Sequence, residues 1–327
     1  MSIARRFATA AVYGGGGMGV LGASTVFFLA VEGALARRTV GPPSSEPPDV
    51  NGRYAAPGVV DDDALTLVIV GDSSAAGLGA YEPAETPGGR LALGLSEASG
   101  RAVRVHGVAK VGAQSCDLAE QVSAALTEVP GPDIAVIIIG ANDVTHLRQP
   151  IACARELGDA IARLRAAGAA VVVGTCPDLG MIQVISQPLR TLCRARCRQL
   201  ATLQAVACVE KGARAVSLGD LLGPAFAQRP HELFSQDRFH PSAAGYAAAA
   251  EAMLPSVVGA VGVEPAGEEE EARPVGTLPV RLAAAEASRD PGTEVRRGEI
   301  AGRDRGPRGR FAALRRRRPA DAMDAVG

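Results

Sequence analysis

The sequence predicts an α/β domain: a mostly parallel sheet with helices packed on both faces. Two observations carry this reading. Short, largely apolar runs recur at 65–70, 103–108, 134–139, 170–174 and 215–218. Segments with helical character lie between and after them, at about 88–99, 115–128, 151–167, 188–211 and 242–254. Apolar runs of this length suit strands covered on both faces. Strand alternating with helix gives a parallel sheet between two helical layers. Ligands of such sheets bind at the carboxyl ends of the strands, which says where to look for chemistry.

In chain order, the first element lies outside this pattern. From Phe7 to Val31 there are 25 residues without a charge. As a helix they span about 37 Å, against a hydrocarbon core of about 30 Å. Arg5 and Arg6 precede the run, and Arg37 and Arg38 follow it. A secretory signal peptide cleaved near Ala34-Leu35-Ala36 is the rival reading. A signal core normally has roughly 7–15 apolar residues, so the longer run favours an uncleaved signal anchor over 1–38. Positive charges flank both ends and set no orientation; with the N-terminus inside, either reading puts the following domain outside the membrane, as an anchored single-pass protein or a secreted one. Residues 39–63 carry Pro42, Pro43, Pro47 and Pro48, and read as an extended linker.

The first apolar run ends in Gly71-Asp72-Ser73-Ser74. A Ser there places a hydroxyl at the sheet rim, although a Ser at a strand–helix junction is also an ordinary helix cap. The second run leads to Val111-Gly112-Ala113. A glycine permits close backbone approach, and its N–H is available to a site; an ordinary turn is the alternative. The third ends in Gly140-Ala141-Asn142-Asp143. Its Asn offers an NH₂ donor for an oxyanion, or a turn-forming side chain. Near the end stands Asp237-Arg238-Phe239-His240-Pro241, before a helix capped by Ser242. A carboxylate three residues before a His can turn back and fix the imidazole. Together these supply nucleophile, base, orienting acid and oxyanion donors along one sheet edge.

His106, His146 and His231 lack such partners in sequence, and Arg194, Arg196 and Arg198 read as a solvated helix face. Past Pro255 the apolar periodicity fails. Glu268 to Glu271 form an acidic run and Arg315 to Arg318 a basic one, so 256–327 reads as a disordered tail. Residues 64–255 are then the size of one ordinary domain.

Composition narrows the function classes. The 327 residues carry a net charge of −1, which gives no electrostatic reason to expect nucleic acid as a partner. Cys116, Cys153, Cys176, Cys193, Cys197 and Cys208 are an even set, compatible with disulfides in an oxidising compartment or with small buried hydrophobes. None has zinc-finger spacing, so no metal site is expected.

The set Gly71-Asp72-Ser73, Gly112, Gly140-Ala141-Asn142-Asp143 and Asp237-x-x-His240 resembles the four blocks of the SGNH/GDSL hydrolases, in order, across about 65–254. The overall pattern is similar to membrane-anchored or secreted actinobacterial members. Two positions depart from the family pattern: Ser74 stands where the motif has Leu, and the Asn that often precedes the block-two glycine is absent. The resemblance implies a flavodoxin-like three-layer α/β/α fold over 64–255 and hydrolysis of carboxylic esters. It implies Ser73 as nucleophile, His240 as base, Asp237 as orienting acid, and an oxyanion hole of Ser73, Gly112 and Asn142. It implies no metal and no organic cofactor. A small-molecule ester, an O-acetylated envelope glycan, acyl transfer to another acceptor and an inactive anchored binding protein are the functions this leaves open.

Overall fold

The structure, a computed structural model, describes residues 46–60, 63–182, 185–219, 230–263, 273–290, 292–300, 303–304 and 310–316. Five strands match the apolar runs: β2 (Leu65–Gly71), β3 (Val103–Gly107), β4 (Ile134–Ile138), β5 (Ala170–Gly174) and β6 (Arg214–Val216). They pair in parallel in the order β3-β2-β4-β5-β6. This is the flavodoxin-like order, whose switch point lies between the first and third parallel strands, here β2 and β4. Gly71 pairs with Ile138 across that point.

Side chains alternate along each strand and feed two cores. Val68, Val70, Ala135, Ile137, Val171 and Val173 face α3 (Leu118–Glu128), α5 (Pro150–Ala166) and α6 (Leu189–Lys211). Leu67, Ile69, Val103, Val105, Ile134 and Val136 face α2 (Pro87–Ser99) and α8 (Ala243–Ala260). The expected three-layer α/β/α architecture is therefore present. Two single-turn helices, α1 (Ser73–Ala76) and α4 (Ala141–Thr145), leave the ends of β2 and β4. Another, α7 (Pro230–Leu233), precedes α8.

The sheet extends beyond the parallel strands on both sides. On one edge β1 (Gly52–Tyr54) pairs antiparallel with β3. On the other, β8 (Glu294–Arg297), β11 (Phe311–Arg316) and β7 (Arg273–Pro279) continue from β6 with antiparallel pairing throughout. β9 (Glu299–Ile300) and β10 (Arg303–Asp304) pair antiparallel as a separate two-stranded sheet. A helix, α9 (Val280–Ala287), covers this extension with Ala283, Ala284 and Ala287. The central sheet is thus mixed, not wholly parallel.

Three expectations need correction. The described part of 256–327 is not a disordered tail: its strands pair into the sheet and bury Val295, Ala312 and Leu314. The stretch escapes notice because its inward residues are small and few. The boundary at 255 also fails, since α8 runs through Pro255 to Ala260. A helix-interior proline costs about 3 kcal/mol; burial of Ser256, Val257 and Val258 behind it offsets that cost.

The third correction concerns the membrane. Among the described residues no helix is long and apolar enough to cross a bilayer. The anchor expected over 1–38 falls on residues outside the described ones, and the described residues support neither a membrane partner nor a single-pass location. The linker of 39–63 is described only in part, from residue 46.

Candidate active site

Ser73 stands at the first position of α1, immediately beyond β2, and is 7% exposed. Its placement depends on Gly71. That residue has φ +142°, and a Cβ there would lie 1.9 Å from the Ile138 carbonyl oxygen, so only glycine lets β2 end so close to β4. Asp72 caps α1 by accepting a hydrogen bond from the Ser74 N–H at 2.9 Å. Burial pushes the Asp72 carboxyl up to about 6, despite the opposing Ser74 N–H and the nearby His240.

His240 arrives from the loop before α8. Its Nε2 lies 3.0 Å from Ser73 Oγ, across 167 residues of sequence. Its Nδ1 lies 2.6 Å from Asp237 Oδ2. With Nδ1–H donating to Asp237, Nε2 is left to accept from the Ser73 hydroxyl. The loop folds back on itself: Ser235 N–H donates to the His240 carbonyl, and Arg238 takes the left-handed φ of +57°. This curl points three further donors at Asp237 Oδ1: Ser235 Oγ at 2.7 Å, Phe239 N at 2.8 Å and His240 N at 2.9 Å. Burial alone would raise the Asp237 carboxyl. The hydrogen bonds from the His240 ring, the two backbone N–H groups and Ser235 outweigh it and hold the carboxyl well below the usual range. The Phe239 ring packs edge-on against the imidazole, with centroids 5.0 Å apart.

Asn142 lies on α4, beyond β4, and its Nδ2 donates to the Ala113 carbonyl at 3.0 Å. The amide keeps a second N–H. Gly112 sits in the loop after β3 with φ +81°. Its N–H and that of Ser73 have no hydrogen-bond acceptor among the described residues. Ser73, Asn142 and His240 border one open cavity of about 60 Å³; Gly112 does not line it.

The cavity walls are largely apolar. Ile138, Leu179, Ile182, Leu218 and Phe239 supply them, with Pro87 and Pro177 at the sides. The stretches 77–90 and 176–190 supply Pro87, Pro177, Leu179 and Ile182. The contribution of α8 through Gly245, Tyr246 and Ala249 was not legible in the sequence. Their helical spacing was the available signal, but nothing in sequence says which face of α8 meets the strand ends.

The wall carrying Pro177 and Leu179 is fixed by fully buried Asp178, which accepts from the Gly180 N–H at 2.8 Å and from Arg194 Nε at 3.0 Å. Arg198 approaches the same carboxylate, and Arg196 donates to the Arg148 carbonyl. These three arginines therefore serve the site's frame and are not a solvated face. All six cysteines are free thiols, and Cys153, Cys176, Cys197 and Cys208 are buried.

A hydroxyl, an imidazole and a carboxylate in series, beside an apolar cavity on an α/β/α sheet, define a serine hydrolase. A family model described as the GDSL-like Lipase/Acylhydrolase family matches residues 69–248, and the chain belongs to that family. It is 43% identical over 256 residues to the GDSL-like esterase Rv1075c of Mycobacterium tuberculosis (strain ATCC 25618 / H37Rv), covering 76% of this chain and 80% of that protein. Among solved structures, TesA is similar with a TM-score of 0.49 and 23% identity, over 60% of this chain and 99% of that one. The psychrotrophic esterase EstA from Pseudoalteromonas sp. is similar with a TM-score of 0.45 and 16% identity, over 60% and 96% of the two chains. The protein is a GDSL/SGNH-type carboxylic ester hydrolase.

Proposed function

We propose that Ser73 is the nucleophile of this esterase, with His240 its base and Asp237 the group that orients and stabilises the imidazole. The observation carrying this reading is the unbroken series from Ser73 Oγ to His240 Nε2 at 3.0 Å and from Nδ1 to Asp237 at 2.6 Å. His240 takes the Ser73 proton as the oxygen attacks the ester carbonyl. The Ser73 and Gly112 N–H groups and the spare N–H of Asn142 receive the oxyanion. His240 then protonates the leaving alcohol, and water repeats the sequence on the acyl-enzyme to release the acid.

The acyl group occupies the cavity beside Ser73. Its apolar walls favour a hydrocarbon chain over a polar substituent. Its volume of about 60 Å³ is well below the ~150 Å³ of a cavity that takes up benzene, which favours chains of a few carbons. The relative's description as a GDSL-like esterase agrees with ester hydrolysis.

The test is hydrolysis of p-nitrophenyl esters of graded chain length by the full chain and its Ser73→Ala variant. We expect activity that peaks at short acyl groups near butyrate and disappears in the variant. Activity retained by Ser73→Ala would remove Ser73 from the mechanism. A rate still rising at dodecanoate would reject the short-chain assignment.

A further inference from the structure

Two loops must converge for an oxyanion to meet both Gly112 and Asn142, and they leave different strands. Gly112 follows β3 and Asn142 follows β4, with β2 between them in the sheet. No ladder hydrogen bonds link these two strands. The link is made by side chains instead. Asn142 Nδ2 donates to the Ala113 carbonyl. Its neighbour Asp143, 1% exposed, accepts from the Ser115 N–H at 3.0 Å and from Ser115 Oγ at 2.6 Å. Ser115 is also buried.

We propose that Asp143 and Ser115 form a clamp that positions the oxyanion donors for ester hydrolysis. Consecutive residues of α4 grip alternate residues of the β3 loop, 142 on 113 and 143 on 115, with Gly112 immediately before the grip. Asp143 does not line the cavity, so it is a positioning residue and not a catalytic one. It is braced in turn by Arg148, whose Nε lies 3.6 Å from Asp143 Oδ1. Arg148 also forms a two-oxygen contact with Glu156 of α5, at 2.7 and 2.9 Å. The clamp is thereby tied to a long helix of the main fold.

A buried carboxylate that accepts a backbone N–H and a hydroxyl from one residue specifies the position of that residue closely, because removing either partner strands a polar group away from water. Such a clamp acts on the transition state more than on substrate binding: the donors meet the oxygen at full strength only when it carries charge.

This inference rests on the catalytic reading above, and the two fail separately. Ser73→Ala tests the reading; Ser115→Ala and Asp143→Asn test the clamp. Ser115→Ala removes one hydrogen bond and leaves the backbone link, so it keeps the test available if Asp143→Asn does not fold. In a Ser115→Ala protein with an unchanged melting profile, we expect kcat to fall about tenfold and KM for a p-nitrophenyl ester to stay within about twofold.

The decisive readout is the cycle with Asn142→Ala, itself expected to lose roughly 10²–10³ in kcat. Ser115→Ala should cost at least threefold less in the Asn142→Ala background than alone, because the clamp then has one of its two donors, Gly112, left to hold in register with a partner that is gone. Fully multiplicative losses would overturn the clamp. So would a normal kcat in folded Ser115→Ala, or a change confined to KM.

Discussion

The parallel strands β3-β2-β4-β5-β6 and the antiparallel extension β8-β11-β7 belong to one sheet yet do different work. Every sequence-predicted site residue except Asp237 and His240 follows a parallel strand at its carboxyl end. Those two come in on the loop before α8, which packs on the same face. The extension carries none of them. It offers instead a fully buried charge: Glu294 accepts from Ser256 Oγ at 2.7 Å, with Arg214 at 3.4 Å and Arg296 at 3.6 Å. Arg214 belongs to β6 and Ser256 to α8, so this carboxylate pins the extension to the domain. In a parallel sheet all carboxyl ends point one way and gather a site; antiparallel neighbours alternate direction and gather nothing on one edge.

That division predicts that substitutions in the two regions separate rate from stability. The largest effect is on rate. Ser73→Ala should lower turnover by at least about 10⁴-fold, while its urea unfolding midpoint stays close to that of the wild type. A similar loss of stability would mean that the hydroxyl matters to folding as well.

Next comes Glu294→Ala, which leaves Arg214 and Arg296 facing a site without a carboxylate. Breaking a buried pair costs about 3–5 kcal/mol. Both arginines are partly exposed, at 21% and 31%, which places the expectation at the lower end. Urea denaturation should show it, with kcat of the folded fraction within about twofold of wild type. A large fall in kcat at unchanged stability would break the division between the regions.

The smallest effect sits inside the catalytic region and is read through pH. Burial raises the Asp72 carboxyl from 3.8 to about 6 in the folded protein. A raised folded value means that its contribution to stability is fully present below pH 3.8 and is lost as pH rises through about 6. The difference amounts to up to about 3 kcal/mol. Asp72→Asn should therefore remove this slope: wild type should lose stability relative to the variant between about pH 4 and 6, followed by urea midpoints. Parallel curves would show that Asp72 does not titrate there. Asp237 has the opposite sign. Its lowered carboxyl contributes stability above pH 3.8 that is lost as pH falls further.

Much of the candidate site was legible because its signals are local. Asp237 and His240 lie three residues apart and meet within one tight loop. Ser73 and Asn142 each stand just past an apolar run, where an α/β sheet concentrates chemistry. The five parallel strands were legible for the same reason, since a run buried on both faces has few polar residues. Asp178 with its arginines, Asp143 with Ser115, and the small face of α8 were not. Each depends on which residue of a distant element arrives opposite, and a charged side chain reads as solvated until its partner is in place.

By itself, then, the sequence determined the parallel strands, the α/β class, the family and the candidate triad. It did so because apolar periodicity and short motifs act over a few residues. Only the tertiary structure decided that the stretch beyond residue 264 adds β8, β11 and β7 to the sheet. The same holds for the joining of the Gly112 and Asn142 loops through Asp143 and for the cavity wall formed by Gly245, Tyr246 and Ala249. The physical reason is common to all three: strand pairing, buried hydrogen bonds and helix-face packing are free-energy terms between residues far apart in the chain. Their partners exist only once the sheet has formed.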